Sequence, residues 1–237
     1  MNQTISIIIP TYQHANTLVS CLDAIFAQTR KSDEVIVVDD GSQDNTQEVL
    51  KPYLDRIRVI VQTNQGAPTA RNNGFCLSTG SFVLFCDADV FMQPNMLQDL
   101  ELALIEHPEA AYAYSSFTWG WKLFSSFPFG DGTRLKQMNF IHTSALIRRE
   151  AFSGFDPTIR RFQDWDLWLT MFEQGQKGQF VDRVLFHVME VNRLERMSTW
   201  IPSFIIRLPW RFLGWKPKRV EKYDQAKQII LKKHGLL

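Results

Sequence analysis

Two carboxylates one residue apart, Asp87 and Asp89 with Ala88 between them, close the apolar run Ser81 to Cys86. On an extended chain the side chains at i and i+2 leave the same face, so both can converge on one hard divalent cation that still has positions for phosphate oxygens. An isolated Asp-x-Asp is also a common solvated turn, and what raises this one is the apolar run in front of it. A second acidic pair, Asp39 and Asp40, ends the run Glu34 to Val38 and is followed by Gly41 and Ser42. A carboxylate there can accept from a nucleobase N–H or a ribose hydroxyl while Gly41 permits the turn, or the Asp-Gly turn caps the next helix. Pro10, Thr11 and Tyr12 stand in the same position after the run Ile5 to Ile9.

These polar ends gain meaning from the elements that position them. The β-branched runs Ile5 to Ile9, Glu34 to Val38, Ile57 to Val61, Ser81 to Cys86 and Ala111 to Ser115 alternate with segments of helical period. That pattern predicts an α/β fold, a mostly parallel sheet with helices on both faces, in which ligands bind at the carboxyl ends of the strands. Leu18, Leu22, Ile25 and Phe26 form the stripe of a helix after the first run. Asp44 and Gln47 offer a capping box for the next helix, and Pro94 opens another with Leu97, Leu100, Leu104 and Ile105 on one side. From Ser116 to Phe140 the periodicity fails among Trp119, Trp121, Phe124, Phe127, Pro128 and Phe129, which reads as a long irregular loop. A second regular stretch runs from Ile141 to about Val191, before a Trp- and Arg-rich C-terminal tail.

The 237 residues, 45% hydrophobic and 22% charged, fit one buried domain with an appendage rather than a disordered chain. Lys and Arg total 26 against 25 acids, so net charge gives no reason to expect a nucleic acid partner. Cys21, Cys76 and Cys86 have no metal-ligand spacing and read as small buried hydrophobes in a reducing compartment. Neither a signal peptide nor a spanning helix is evident, which places the chain in the cytoplasm.

Ser6 to Tyr12, Val37-Val38-Asp39-Asp40-Gly41-Ser42, Asn64-Gln65-Gly66 with Ala70-Arg71-Asn72-Asn73-Gly74, and Phe85 to Asp89 come in an order and at spacings that resemble the family 2 glycosyltransferases. The resemblance covers roughly residues 4 to 193 and implies a single nucleotide-binding domain of the GT-A fold. It implies a nucleotide-sugar half over 1–115, an acceptor-side half over 116–197 and a helical tail over 198–237. By the same resemblance Pro10, Thr11 and Tyr12 lie against the nucleobase and Asp40, with Asp39 beside it, reads uracil or ribose. Arg71 stands near the diphosphate, and Asp87, Ala88 and Asp89 form the donor-site motif, in which Asp87 and Asp89 hold Mn2+ or Mg2+. Many relatives have a further Asp where this chain has Val90. The segment Gln163-Asp164-Trp165-Asp166-Leu167-Trp168 matches the one whose Asp deprotonates the acceptor, giving Asp164 that role. A helix N-cap is its structural alternative. Ile141-His142-Thr143-Ser144 resembles a segment bordering the acceptor site, although a core histidine fits His142 slightly better. A late His that completes the metal shell in some GT-A enzymes has no match in Glu190-Val191-Asn192-Arg193, and His187 does not align with it.

The implied activity is an inverting transfer from a nucleoside diphosphate sugar, UDP by family frequency, to a hydroxyl of a glycan or lipid-linked glycan, without a covalent intermediate. A sugar-nucleotide pyrophosphorylase would need a Gly-rich loop after the first strand, where this chain has Pro10 to His14. A non-catalytic nucleotide-sugar-binding protein is opposed by Asp87, Asp89 and Asp164. Trp200 to Arg219, rich in Trp and basic residues and free of acid, suits a peripheral contact with the inner face of a membrane or a flap packed on the core. Which sugar, which acceptor and which oligomeric state are not legible in the residues.

Overall fold

The computed structural model describes residues 3–189 and 217–237. The buried run at the start forms β1 (Ile5–Thr11), followed by α1 (Ala15–Phe26), β2 (Glu34–Asp39), α2 (Thr46–Leu50), β3 (Arg58–Val61) and α3 (Ala67–Leu77). Then come β4 (Phe82–Phe85), β5 (Val90–Met92), α4 (Met96–Glu106), β6 (Tyr112–Trp119) and β7 (Lys122–Phe124). The remaining elements are α5 (Thr133–Gln137), β8 (Leu146–Arg148), α6 (Gln163–Glu173), β9 (Gly178–Val188) and α7 (Lys218–Lys233).

Among the described residues nine strands make one sheet in the order β3-β2-β1-β4-β8-β6-β9-β5, with β7 paired to β6 outside that path. The strands β3, β2, β1 and β4 run parallel, β8 is antiparallel to β4 and β6, and β9 returns parallel to β6 with β5 antiparallel beside it. The parallel expectation thus holds for the half built from β1 to β4, and the other half is mixed. Both faces are covered. Ile5, Ile7 and Ile9 of β1 join the core with Leu18, Leu22 and Ile25 of α1 and Leu97, Leu100 and Leu104 of α4. The opposite face takes α3 so closely that a Cβ on Gly74 would stand 2.4 Å from Ile8 Cγ2 and 3.1 Å from Val38 Cγ2. On that same side Trp168 of α6 stacks on Tyr112 of β6 at 4.6 Å.

Several local readings change. Asp44 and Gln47 do not form a capping box: Asp44 accepts from Ala15 N–H at the head of α1 and from Thr46, while Gln47 donates to Asp39. Carboxylate oxygens go to the nearest orphan N–H, and here that belongs to another helix. The stretch 116–140 is less irregular than its composition suggests, because β6 continues to Trp119 and folds back into β7. Tertiary pairing outweighs a mixed aromatic pattern there. Ile105 is exposed, unlike Leu97, Leu100 and Leu104. Cys21 and Cys86 are buried as expected, whereas Cys76 is exposed.

The chain divides into two compact units, Met1–Glu190 and Val191–Leu237. The second contributes α7, whose last turn carries Lys232 and Lys233 against the negative end of the helix dipole. The stretch Trp200 to Lys216, on which most of the membrane reading rests, lies outside the described residues, as do Glu190 to Arg193. No described helix is long and apolar enough to cross a membrane.

Candidate active site

The carboxyl ends of β1, β2 and β4 are neighbours in the sheet, with Thr11 beside Asp39 in register. Asp39 is fully buried: one oxygen accepts from Ser42 N–H at 2.9 Å and the other from Gln47 at 2.6 Å, closing the turn that Gly41, at φ 81°, makes possible. Asp40, 2% exposed, accepts from Gln62 Nε2 at 2.7 Å and from the backbone N–H groups of Gln65 at 2.8 Å and Gly66 at 2.7 Å. Asp40 thus pins the loop that starts α3, and Asp39 fixes the turn beside it. Their remaining lone pairs are what a nucleoside could use. Thr11 Oγ1 is buried without a hydrogen-bond partner among the described residues, and Tyr12 next to it is 44% exposed. A buried orphan hydroxyl beside an open aromatic ring suits a ligand with both a polar edge and a flat face.

Arg71 leaves α3 and lies 5% exposed behind the Asp-x-Asp. Its guanidinium donates through one nitrogen to Asp87 Oδ1 at 2.6 Å and through the other to Gln163 Oε1 at 2.8 Å, while Nε has no partner among the described residues. Phe155 sits under the group, 5.1 Å from ring centroid to guanidinium carbon. Burial pushes the Asp87 carboxyl up, but the charge and hydrogen bond of Arg71 lead the interactions that hold the group below the ordinary carboxylate value. Asp87 is therefore ionised at neutral pH, and its side chain is 28% exposed. Asp89, half-buried two residues on, supplies a second oxygen donor. Two carboxylates placed in this way fit part of the oxygen shell of a hard divalent cation. Among the described residues no cluster of three or more His, Cys, Asp or Glu completes it. His187 is engaged elsewhere, with Nδ1 2.8 Å from Thr118 Oγ1.

Asp164 stands in the first turn of α6. The residue before that helix, Phe162, adopts φ 59°, and Gln13 after β1 has the same value; they are the two non-glycine residues with positive φ among those described. Such conformations cost roughly 1–3 kcal/mol and cluster where a fixed loop geometry serves a site. Asp164 does not act as a side-chain N-cap. One oxygen accepts from the adjoining Trp165 N–H at 2.9 Å and the other from Asn139 Nδ2 at 2.6 Å. Burial raises its pKa above the ordinary carboxylate value, with those two hydrogen bonds and the Arg71 charge among the effects acting the other way. The segment that delivers Asn139 is held to α6 by two buried indoles, Trp165 donating to Leu135 O at 2.7 Å and Trp168 to Ile141 O at 3.0 Å. Asp156 caps its own turn by accepting from Thr158.

The structure thus brings Thr11, Tyr12, Asp39, Asp40, Arg71, Asp87, Ala88 and Asp89 to adjacent strand ends, and the Arg71 fork ties Asp87 to the residue before Asp164. Pro10 is buried within β1. Sequence reasoning missed Asn139, since an amide in a loop carries no spacing signal, and quoted Gln163 in the family segment without giving it a role. A separate cleft of about 340 Å³ lies at the amino ends of β6 and β9, lined by Glu109, Phe129 and Lys177 among others; it has no converging acids.

The sequence profile described as "Glycosyl transferase family 2" matches residues 6–156. The chain belongs to this family. It is 31% identical over 222 residues to the "PGL/p-HBAD biosynthesis glycosyltransferase" of Mycobacterium bovis, covering 86% of this chain and 83% of that one. Of several other curated family relatives it matches only 16% to 35% of the length. Staphylococcus aureus TarS 1-349 in complex with UDP-GlcNAc superposes with a TM-score of 0.71 at 19% identity, over 98% of this chain and 72% of that one. The mannosyltransferase PcManGT of Pyrobaculum calidifontis, in complex with GDP-Man and Mn2+, gives 0.63 at 19% identity, over 97% and 70%. These likenesses show that the fold is GT-A.

Proposed function

We infer that this family member is a metal-dependent, inverting glycosyltransferase that moves a sugar from a nucleoside diphosphate donor, with UDP preferred, to a hydroxyl of a glycan or lipid-linked glycan. The observation that carries the reading is the Arg71 fork. It fixes one carboxylate of the Asp-x-Asp and the head of α6 in a single buried network, so a group suited to the leaving diphosphate and a candidate base face one reaction space. In this reading residues 1–115 serve the donor, 116–197 the acceptor, and 198–237 form a tail.

Pro10, Thr11 and Tyr12 seat the nucleobase, and Asp39 and Asp40 order the loops around the ribose. Asp87 and Asp89 would hold Mn2+ or Mg2+, which when bound supplies positive charge against the diphosphate. Arg71 keeps Asp87 ionised and oriented, and its always-charged guanidinium adds to the positive potential beside the phosphates. Asp164, its basicity raised by burial, takes the proton of the acceptor hydroxyl as that oxygen attacks the sugar C1. General-base assistance of this kind is worth roughly 100- to 10,000-fold, so positioning by the α6 head and its indole anchors has to supply much of the remainder. The attack and departure are in line, and configuration at C1 inverts.

The test is a thermal-shift panel of UDP, GDP and dTDP sugars with and without Mn2+. The reading predicts stabilisation by one nucleotide class that requires the cation. No shift with any donor at saturating cation, confirmed by calorimetry, would overturn it.

A further inference from the structure

His142 lies on the segment between Asn139, which holds Asp164, and β8. Its ring is half-buried and packs beside the stacked pair Phe117 and Phe186, 4.9 Å from each between centroids. Its Nδ1 accepts the backbone N–H of Ser144 at 3.1 Å. A neutral imidazole whose Nδ1 accepts must carry its proton on Nε2, so the ring, oriented by the Ser144 hydrogen bond and its packing on the phenyl pair, presents a single N–H donor. Nε2 makes no hydrogen bond to the described residues. Burial lowers the basicity of the ring, which keeps it neutral, and both Asp87 and Asp164 act on it electrostatically. Asn139, three residues earlier, holds Asp164, and Phe186 beside the ring belongs to β9, beyond whose end Met189 N–H donates to Asp89 O at 2.8 Å, so the elements that carry the imidazole also hold the acceptor side and the leaving-group side of the site.

In an in-line transfer, what stands between the base and the departing diphosphate is the transferred sugar. We propose that His142 is a donor-sugar recognition residue, whose Nε2–H hydrogen-bonds a hydroxyl or ring substituent of the sugar attached to the nucleotide. The proposal rests on the nucleotide-sugar reading above. It assigns His142 to the sugar and leaves the nucleotide to the ends of β1 and β2. A site built to satisfy a sugar hydroxyl also discriminates against donors that lack it, because the Nε2–H, covered by the bound sugar, would then be unpaired.

Two substitutions separate this role from packing. In His142→Asn the amide oxygen can still accept Ser144 N–H while the Nε2–H is lost; in His142→Gln an amide N–H can reach the Nε2 position. Calorimetry with UDP and UDP-GlcNAc as probes, in Mn2+, gives for each protein the ratio of the two affinities. The wild type binds the sugar nucleotide more tightly than UDP; His142→Asn loses about 10-fold in UDP-GlcNAc affinity with UDP affinity unchanged; His142→Gln recovers part of it. A His142→Asn protein that keeps the wild-type ratio, or that loses UDP and UDP-GlcNAc affinity equally, would overturn the proposal while leaving the nucleotide-sugar reading standing. Wild-type protein that binds neither probe, nor the GDP and dTDP equivalents, would overturn both.

Discussion

Replacing Arg71 by Met removes the guanidinium that pairs with Asp87. The Arg71 side chain is 6% exposed and that of Asp87 28%, so the pair sits close to the buried limit. Breaking a buried pair by deleting one partner costs about 3–5 kcal/mol, because the remaining charge is left uncompensated. The partial exposure of Asp87 sets the expected cost near the lower bound, about 3 kcal/mol, and the lost Gln163 hydrogen bond adds about 1 kcal/mol. For a chain of this size that corresponds to a fall in melting temperature of roughly 8–16 °C. Arg71→Met/Asp87→Asn leaves no stranded charge and should recover at least about 1.5 kcal/mol, a coupling readable from urea denaturation of the four proteins in the double-mutant cycle. The pH dependence has a definite sign. Asp87 is held below its unfolded value, so its contribution is present above about pH 4 and is lost as pH falls through the lowered folded value. The wild type and Arg71→Met should therefore converge in stability on acidification. Additive single substitutions, with a stability difference that does not change between pH 7 and pH 3, would refute the assignment of Arg71 as the residue that keeps Asp87 charged.

Asp164→Asn is expected to fold and to melt no lower than wild type at pH 7.5, with transfer reduced at least about 100-fold. The sign follows from burial: a carboxyl raised above its unfolded value contributes stability below about pH 3.9 that is lost as pH rises through the folded value, so the neutral amide avoids that cost. A large drop in melting temperature with the rate retained would make Asp164 structural. Gly74→Ala puts a methyl group against Ile8 and Val38 and should destabilise by about 1–3 kcal/mol in chemical denaturation; a neutral result would mean that α3 does not lie where its packing places it. Asp40→Ala frees the N–H groups of Gln65 and Gly66 and should cost about 2–4 kcal/mol together with nucleotide affinity by calorimetry, whereas weaker binding at unchanged stability would deny its role as a loop pin.

The half of the fold before Ala88 was legible because its strands are buried on both faces, and Ile5 to Ile9, Val35 to Val38 and Phe82 to Phe85 read as unbroken apolar runs. The other half was harder. β5 and β8 are three residues long, too short for any period, and β9 carries Asp182 and Arg183 in the middle of a long strand. β6 and β9 pair in parallel across a register irregularity near Ser115 and Ser116, a relation no local pattern encodes. The site divided along the same line. Acids at strand ends were visible from spacing, and Asp164 from the family segment around it. That Asp44 caps α1 and that Asn139 holds Asp164 depends on loops converging from 29 and 25 residues away in sequence. The preference for a core histidine at His142 captured its aromatic packing, but not the hydrogen bond by which its Nδ1 accepts from Ser144.

The most direct test of the proposed chemistry is the anomeric configuration of the product. With an α-linked UDP-sugar in Mn2+ and water as the acceptor, proton NMR of the first sugar released, recorded before mutarotation, reports the stereochemistry at C1 without knowledge of the natural acceptor. A single in-line displacement with Asp164 as base predicts the β anomer in excess, at a rate that falls with Asp164→Asn. Initial release of the α anomer would contradict it.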